Sequence, residues 1–95
     1  MTDLEINRLC AEAMGLEPLA VYGMDVVIGA TPNRYVFRPL QDDAQAMALV
    51  KRFKLMLDPE PQSKGWIVTD FSASAEDANL NRAICECVAK MQAAK

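Results

Sequence analysis

Residues 37–53 read FRPLQDDAQAMALVKRF, and the role given to Asp42 and Asp43 decides how the chain is divided. Adjacent acids after a proline turn can be a metal or catalytic pair, or they can mark the entrance to a helix. Pro39 disfavours helical geometry at Arg38, whereas Ala46, Leu49, Val50, Phe53 and Leu57 recur at the three-and-four spacing of one helical stripe. Asp42 with Gln45 three residues on is a capping pattern, and Asp43 falls in the first turn, where the helix dipole favours negative charge. Both acids are accounted for by a helix start. Leu55 misfits the stripe, so the helix is expected to end near it.

Outward from this helix the chain alternates. Towards the N-terminus, Thr2 with Glu5 is a second capping pattern, so a helix should begin near Asp3. Ile6, Leu9, Cys10, Ala13 and Met14 form its stripe, and Gly15 is suited to end it in the left-handed conformation. Residues 20–30, AVYGMDVVIGA, read as one strand, with Val26, Val27 and Ile28 placing apolar groups on both of its faces. Thr31-Pro32-Asn33 is turn chemistry, and Arg34–Arg38 reads as a strand pairing back as a hairpin. On the C-terminal side, residues 58–64 read as a loop because of Pro59 and Pro61. Residues 65–73, GWIVTDFSA, then read as a strand with Ile67, Phe71 and Ala73 on one face and Trp66 and Val68 on the other. Ser74 with Asp77 is expected to open the last helix, whose stripe is Leu80, Ile84, Cys87, Val88 and Met91.

The expected architecture is therefore a single α+β domain spanning residues 1–95, in the order α-β-β-α-β-α. It is a small α/β sandwich of about three mainly antiparallel strands and three helices. A chain of this length buries only about 60 to 65% of its unfolded surface, which leaves room for one core. No internal repeat is visible.

Composition narrows the function classes. The 52% hydrophobic and 24% charged content is that of an ordinary globular chain. A net charge of −3 gives no electrostatic reason to expect nucleic-acid binding. Residues 1–15 lack the features of a secretory signal, and no apolar stretch is long enough for a membrane span. A cytoplasmic setting follows, in which Cys10, Cys85 and Cys87 would remain thiols.

Chemistry is sparse. The chain has no histidine, the commonest general base and metal ligand. Cys85 and Cys87 point about 200° apart on a helix and cannot hold one ion together; only Cys87 lies on the core stripe. The glycines form no phosphate-binding motif. No catalytic residue, metal or cofactor is expected. Asp25 and Asp70 stand inside strands otherwise full of apolar residues, either facing solvent or facing each other, where they would perturb each other's ionisation. Trp66 is an interface anchor or packs under a helix. Arg34, Tyr35 and Arg38 around the hairpin are the expected exposed recognition cluster and, with Trp66, the expected interaction surface.

Residues 37–53 resemble the central signature of the phage ABA-sandwich domain family, small proteins of phages and prophages. In that signature an aromatic, a proline and an aspartate three residues later lead into an alanine-rich helix. Phe37, Pro39 and Asp42 fill those places, and Ala44, Ala46, Val50 and Phe53 match the helical face; Met47 stands where the family usually has tryptophan. INRLCAEAMG is similar to the family's opening helix and NRAICECVAKM to its closing one. The resemblance implies an α/β sandwich and a phage-derived accessory protein with no catalytic residues to carry over. The expected function is a non-enzymatic protein-interaction module in the cytoplasm of a bacterial host cell, with a host or phage protein as partner and a homodimer as a further possibility. One alternative is an inhibitor of a host defence system, anti-CRISPR-like; another is a small enzyme or ligand sensor using Asp25, Asp70 or Glu76.

Overall fold

In the computed structural model, which describes residues 1–16, 18–22, 25–29, 34–62 and 65–95, the Thr2 hydroxyl accepts a hydrogen bond from the Glu5 N–H at 3.2 Å. Helix α1 runs over Asp3–Ala13. It stops as glycine allows: Gly15 takes φ 74°, and the Leu16 N–H returns to the Ala11 carbonyl at 2.9 Å, the pairing of a Schellman motif.

Strands β1 (Pro18–Tyr22), β2 (Asp25–Ile28) and β3 (Tyr35–Phe37) form an antiparallel meander with β2 in the middle. The single strand expected over residues 20–30 is two strands, because the chain reverses so that Tyr22 pairs with Asp25. Gly23 inside an apparent strand was the available signal. The expected turn Thr31-Pro32-Asn33 lies outside the described residues. Val26, Val27 and Ile28 are all buried, and Val26, Ile28 and Phe37 join the core.

Asp42 caps helix α2 (Asp43–Phe53), its carboxylate accepting from the Gln45 N–H at 2.9 Å. The helix ends at Lys54, a lysine in the left-handed region at φ 53°, and Leu55 turns into the core. Asp42→Ala should cost about 0.5–2 kcal/mol, the usual loss for an N-cap, read as a lowered urea midpoint with unchanged slope. An unaltered midpoint would mean that the acid is not a stability device.

The second meander departs furthest from expectation. Leu57 belongs to strand β4 (Met56–Pro59), not to α2, and so do Asp58 and Pro59, which were expected in a loop. Residues 65–73 are not one strand: β5 ends at Thr69 (Trp66–Thr69), the chain turns, and β6 occupies Ser74–Asp77, where a helix start was expected. Their register sets Leu57, Val68 and Ala75 in one row and Asp58, Ile67 and Glu76 in the next. Tertiary pairing overrides weak local preference here. SAED is polar apart from Ala75, and Ala75 is the residue of β6 that is buried. Pro59 is tolerated because β4 is an edge strand.

Helix α3 (Leu80–Ala93) is capped by Asn79, which accepts from the Arg82 N–H at 3.0 Å. It is the hub, lying against α1, α2, β5 and β6. Ala83, Ile84, Cys85, Cys87, Val88 and Ala89 are all fully buried. Cys85, expected off the core stripe, is in the core because α3 has neighbours on several sides. Cys85 meets α1, where the Cys10 thiol donates to its carbonyl at 3.4 Å, while the Cys87 thiol reaches the Ala73 carbonyl at 3.7 Å beside β6. Arg82 adds a polar staple, with Nη1 2.8 Å from Asp3 at the start of α1 and Nε 2.9 Å from Glu86.

Among the described residues the chain is an α+β fold of three helices and six antiparallel strands, ordered α-β-β-β-α-β-β-β-α. The two sheets stand where one of about three strands was expected. A helix followed by a three-stranded meander occurs twice, a repeat of topology that the sequence does not display.

Candidate interaction surface

The expected recognition residues divide between the two sheets. Arg34, Tyr35 and Arg38 surround β3 and are exposed, Tyr35 to 43%. Trp66 sits in β5 of the other sheet, half-buried and packed against the core. It lines a shallow cleft of about 180 Å³ with Glu60, Gly65, Glu76, Asp77 and Ala78.

The β3 edge is closed by a side chain that the sequence presented only as part of a cap. The Gln45 amide accepts from the Arg38 N–H and donates to the Val36 carbonyl at 2.6 and 3.0 Å. One side chain thus satisfies both a donor and an acceptor of the strand, as a neighbouring strand would, and blocks strand addition there. Gln45→Ala should lower stability by about 1–2 kcal/mol through the two lost bonds, with the β3 amides exchanging faster in hydrogen-exchange NMR. Unchanged exchange at Val36–Arg38 would contradict this role.

The acids singled out from the sequence are dispersed, as far as the described residues go. Asp25 opens β2 in the first sheet, and its side chain lies outside the described residues. Asp70, expected inside a strand, belongs to the β5–β6 turn, where its carboxylate accepts from the Ser72 N–H at 2.7 Å and the Ser72 hydroxyl at 2.8 Å. Asp43 accepts from Asn81 at 2.7 Å, tying the start of α2 to α3. Glu76 is exposed on β6. Among the described residues no group of three or more histidine, cysteine, aspartate or glutamate residues is gathered for a metal ion. Nor is any described helix long and apolar enough to cross a membrane.

The thiols are sealed. Hydrogen bonding to Cys85, followed by burial, pushes the Cys10 thiol far up from its ordinary value, and burial followed by the charge of Asp70 raises that of Cys87. Thiolate is the reactive form, so neither residue is set up as a nucleophile.

What sequence reasoning missed is Phe71. Placed on a strand face by alternation, it instead occupies the tip of the β5–β6 turn, with its side chain as open to solvent as in an extended chain, at 110% relative exposure. Asp-x-Ser over Asp70–Ser72 was the available turn signal. The turn is held by the two Asp70 carboxylate bonds and by the Asp70 N–H to the Ala73 carbonyl at 2.9 Å. Met56, in the strand row that ends beside this turn, is 63% exposed.

Comparison with family models, curated proteins and solved structures returned no match.

Proposed function

We propose that the chain is a small non-enzymatic protein-interaction module of phage or prophage origin, working in the cytoplasm of a bacterial host by binding a host or phage protein. The observation that carries this is Phe71, an aromatic side chain held wholly in water on a hydrogen-bonded turn, with Met56 exposed in the strand row that ends at that turn. Folding gains nothing from such a placement, whereas association does, since aromatic anchors dominate interface energetics. The phage setting rests on the resemblance of residues 37–53 and of the two terminal helices to the phage ABA-sandwich domain family.

The test is retention by the tagged chain in a bacterial host. A protein partner held in stoichiometric amount is expected. A small metabolite retained at one-to-one ratio with no protein, and lost on substitution of Asp25 or Asp70, would replace this function with that of an enzyme or ligand sensor.

A further inference from the structure

We infer that the outer face of the second sheet, headed by Phe71, docks a protein segment rich in lysine or arginine that carries an apolar anchor; this rests on the interaction-module function above and specifies its partner. Strand geometry defines the face. Side chains alternate across a strand, so the row Leu57-Val68-Ala75, with Val68 and Ala75 buried on the side of α3, turns the neighbouring rows outward. Those rows are Met56-Thr69-Ser74 and Asp58-Ile67-Glu76. Met56, Asp58, Ser74 and Glu76 are exposed, and Ile67 and Thr69 are half-buried.

The chemistry of the face selects its occupant. Asp58 and Glu76 flank Ile67 directly across the sheet, and β4, β5 and β6 contain no lysine or arginine. Lys54, two residues before β4, and Lys90, whose ammonium donates to the Ser74 carbonyl at 2.9 Å, stand at its margin. The next row, Pro59-Trp66-Asp77, turns back to the side of Val68 and α3, so Trp66, which packs against the core, stands outside this face.

A second copy seated face to face by a two-fold axis would set Asp58 and Glu76 against the same acids. Nucleic acid and anionic lipid carry the same sign as this face and are disfavoured likewise. A cationic segment neutralises the two carboxylates, and its apolar side chain covers Met56, Ile67 and Phe71. The turn that presents Phe71 is already fixed by its hydrogen bonds, so little ordering remains to be done on binding.

The test is an NMR titration of the full ¹⁵N-labelled chain with two short, terminally blocked peptides. One consists of lysines around a central pair of leucines, and the other has glutamate in place of every lysine. Amide shifts at Ile67, Thr69, Phe71, Ser72 and Glu76 are expected with the basic peptide and not with the acidic one. Phe71→Ser and Glu76→Lys should each weaken binding by about tenfold or more, with melting temperatures equal to that of the unsubstituted chain. Shifts confined to Arg34–Arg38, equal response to both peptides, or unchanged affinity in both variants would overturn the assignment of this face. The retention experiment above would still stand on its own, because it depends on no particular surface. A concentration-dependent dimer dissolved by Phe71→Ser would overturn it in favour of a second copy. Binding to vesicles of anionic lipid that is lost in the same variant would overturn it in favour of a membrane.

Discussion

Ile84→Ala should lower the stability of the folded chain by about 3 to 5 kcal/mol, the upper part of the range for truncating a fully buried aliphatic side chain. Ile84 is 0% exposed on the helix that touches α1, α2, β5 and β6, so the space it leaves is bounded by several elements that cannot all close in together. Against a total of about 5 to 14 kcal/mol for a chain of this length, such a loss would bring the domain close to unfolding at physiological temperature. Lys51→Ala, on the exposed side of α2, is the control and should stay within about 0.5 kcal/mol. Urea denaturation followed by circular dichroism decides the matter. A loss below about 1 kcal/mol would show that α3 is not the hub of the core.

Alkaline pH should destabilise the chain through Cys10. Its thiol, bonded to Cys85 and buried, has a folded pKa far above the ordinary value. Below about pH 8.5 the folded and unfolded thiols are both protonated and stability does not depend on this group. Above that pH the unfolded thiol releases its proton while the folded one keeps it, so the folded state binds more protons and stability falls as pH rises. One group contributes a slope of about 1.4 kcal/mol per pH unit, or about 2 to 3 kcal/mol between pH 8.5 and 10.5. Cys87, raised in the same direction, adds to the slope. Urea midpoints measured at pH 7.5 and pH 10 in the presence of a reductant should differ accordingly, and Cys10→Ala should remove one thiol's share of the difference. Equal pH dependence in the variant would place the effect on other groups.

The parts of the fold legible in the sequence are those governed by short-range chemistry. Thr2, Gly15 and Asp42 act within a few residues of themselves, and each does in the structure what its residue type prescribes. The central helix and the β2–β3 pairing were readable for the same reason. Strand β6 was not, because Ser74-x-x-Asp77 satisfies the pattern of a helix start as well as it satisfies anything local; only pairing with β5 and cover from α3 select the strand. Strand β4 was masked by Pro59, which marks an edge as readily as a loop. Cys85 was misplaced because a single stripe was sought on a helix packed on several sides.

The candidate surface was less legible than the fold. Arg34, Tyr35 and Arg38 were found as an exposed cluster, but nothing local announced that Gln45 would close the strand edge between them and α2. Phe71 was hidden by alternation, since an aromatic two residues after Thr69 fits a strand equally well. Its exposure follows from a turn whose acid and serine were visible but carried less weight than the apolar pattern.

The central claim, that function resides in a protein-binding surface headed by Phe71, is tested most directly by the amount of partner protein retained by Phe71→Ser at the same concentration of folded chain as the unsubstituted protein. A side chain fully in water supports no packing, so the variant should melt at the same temperature and retain little or none of the partner. Retention equal to that of the unsubstituted chain would contradict the claim.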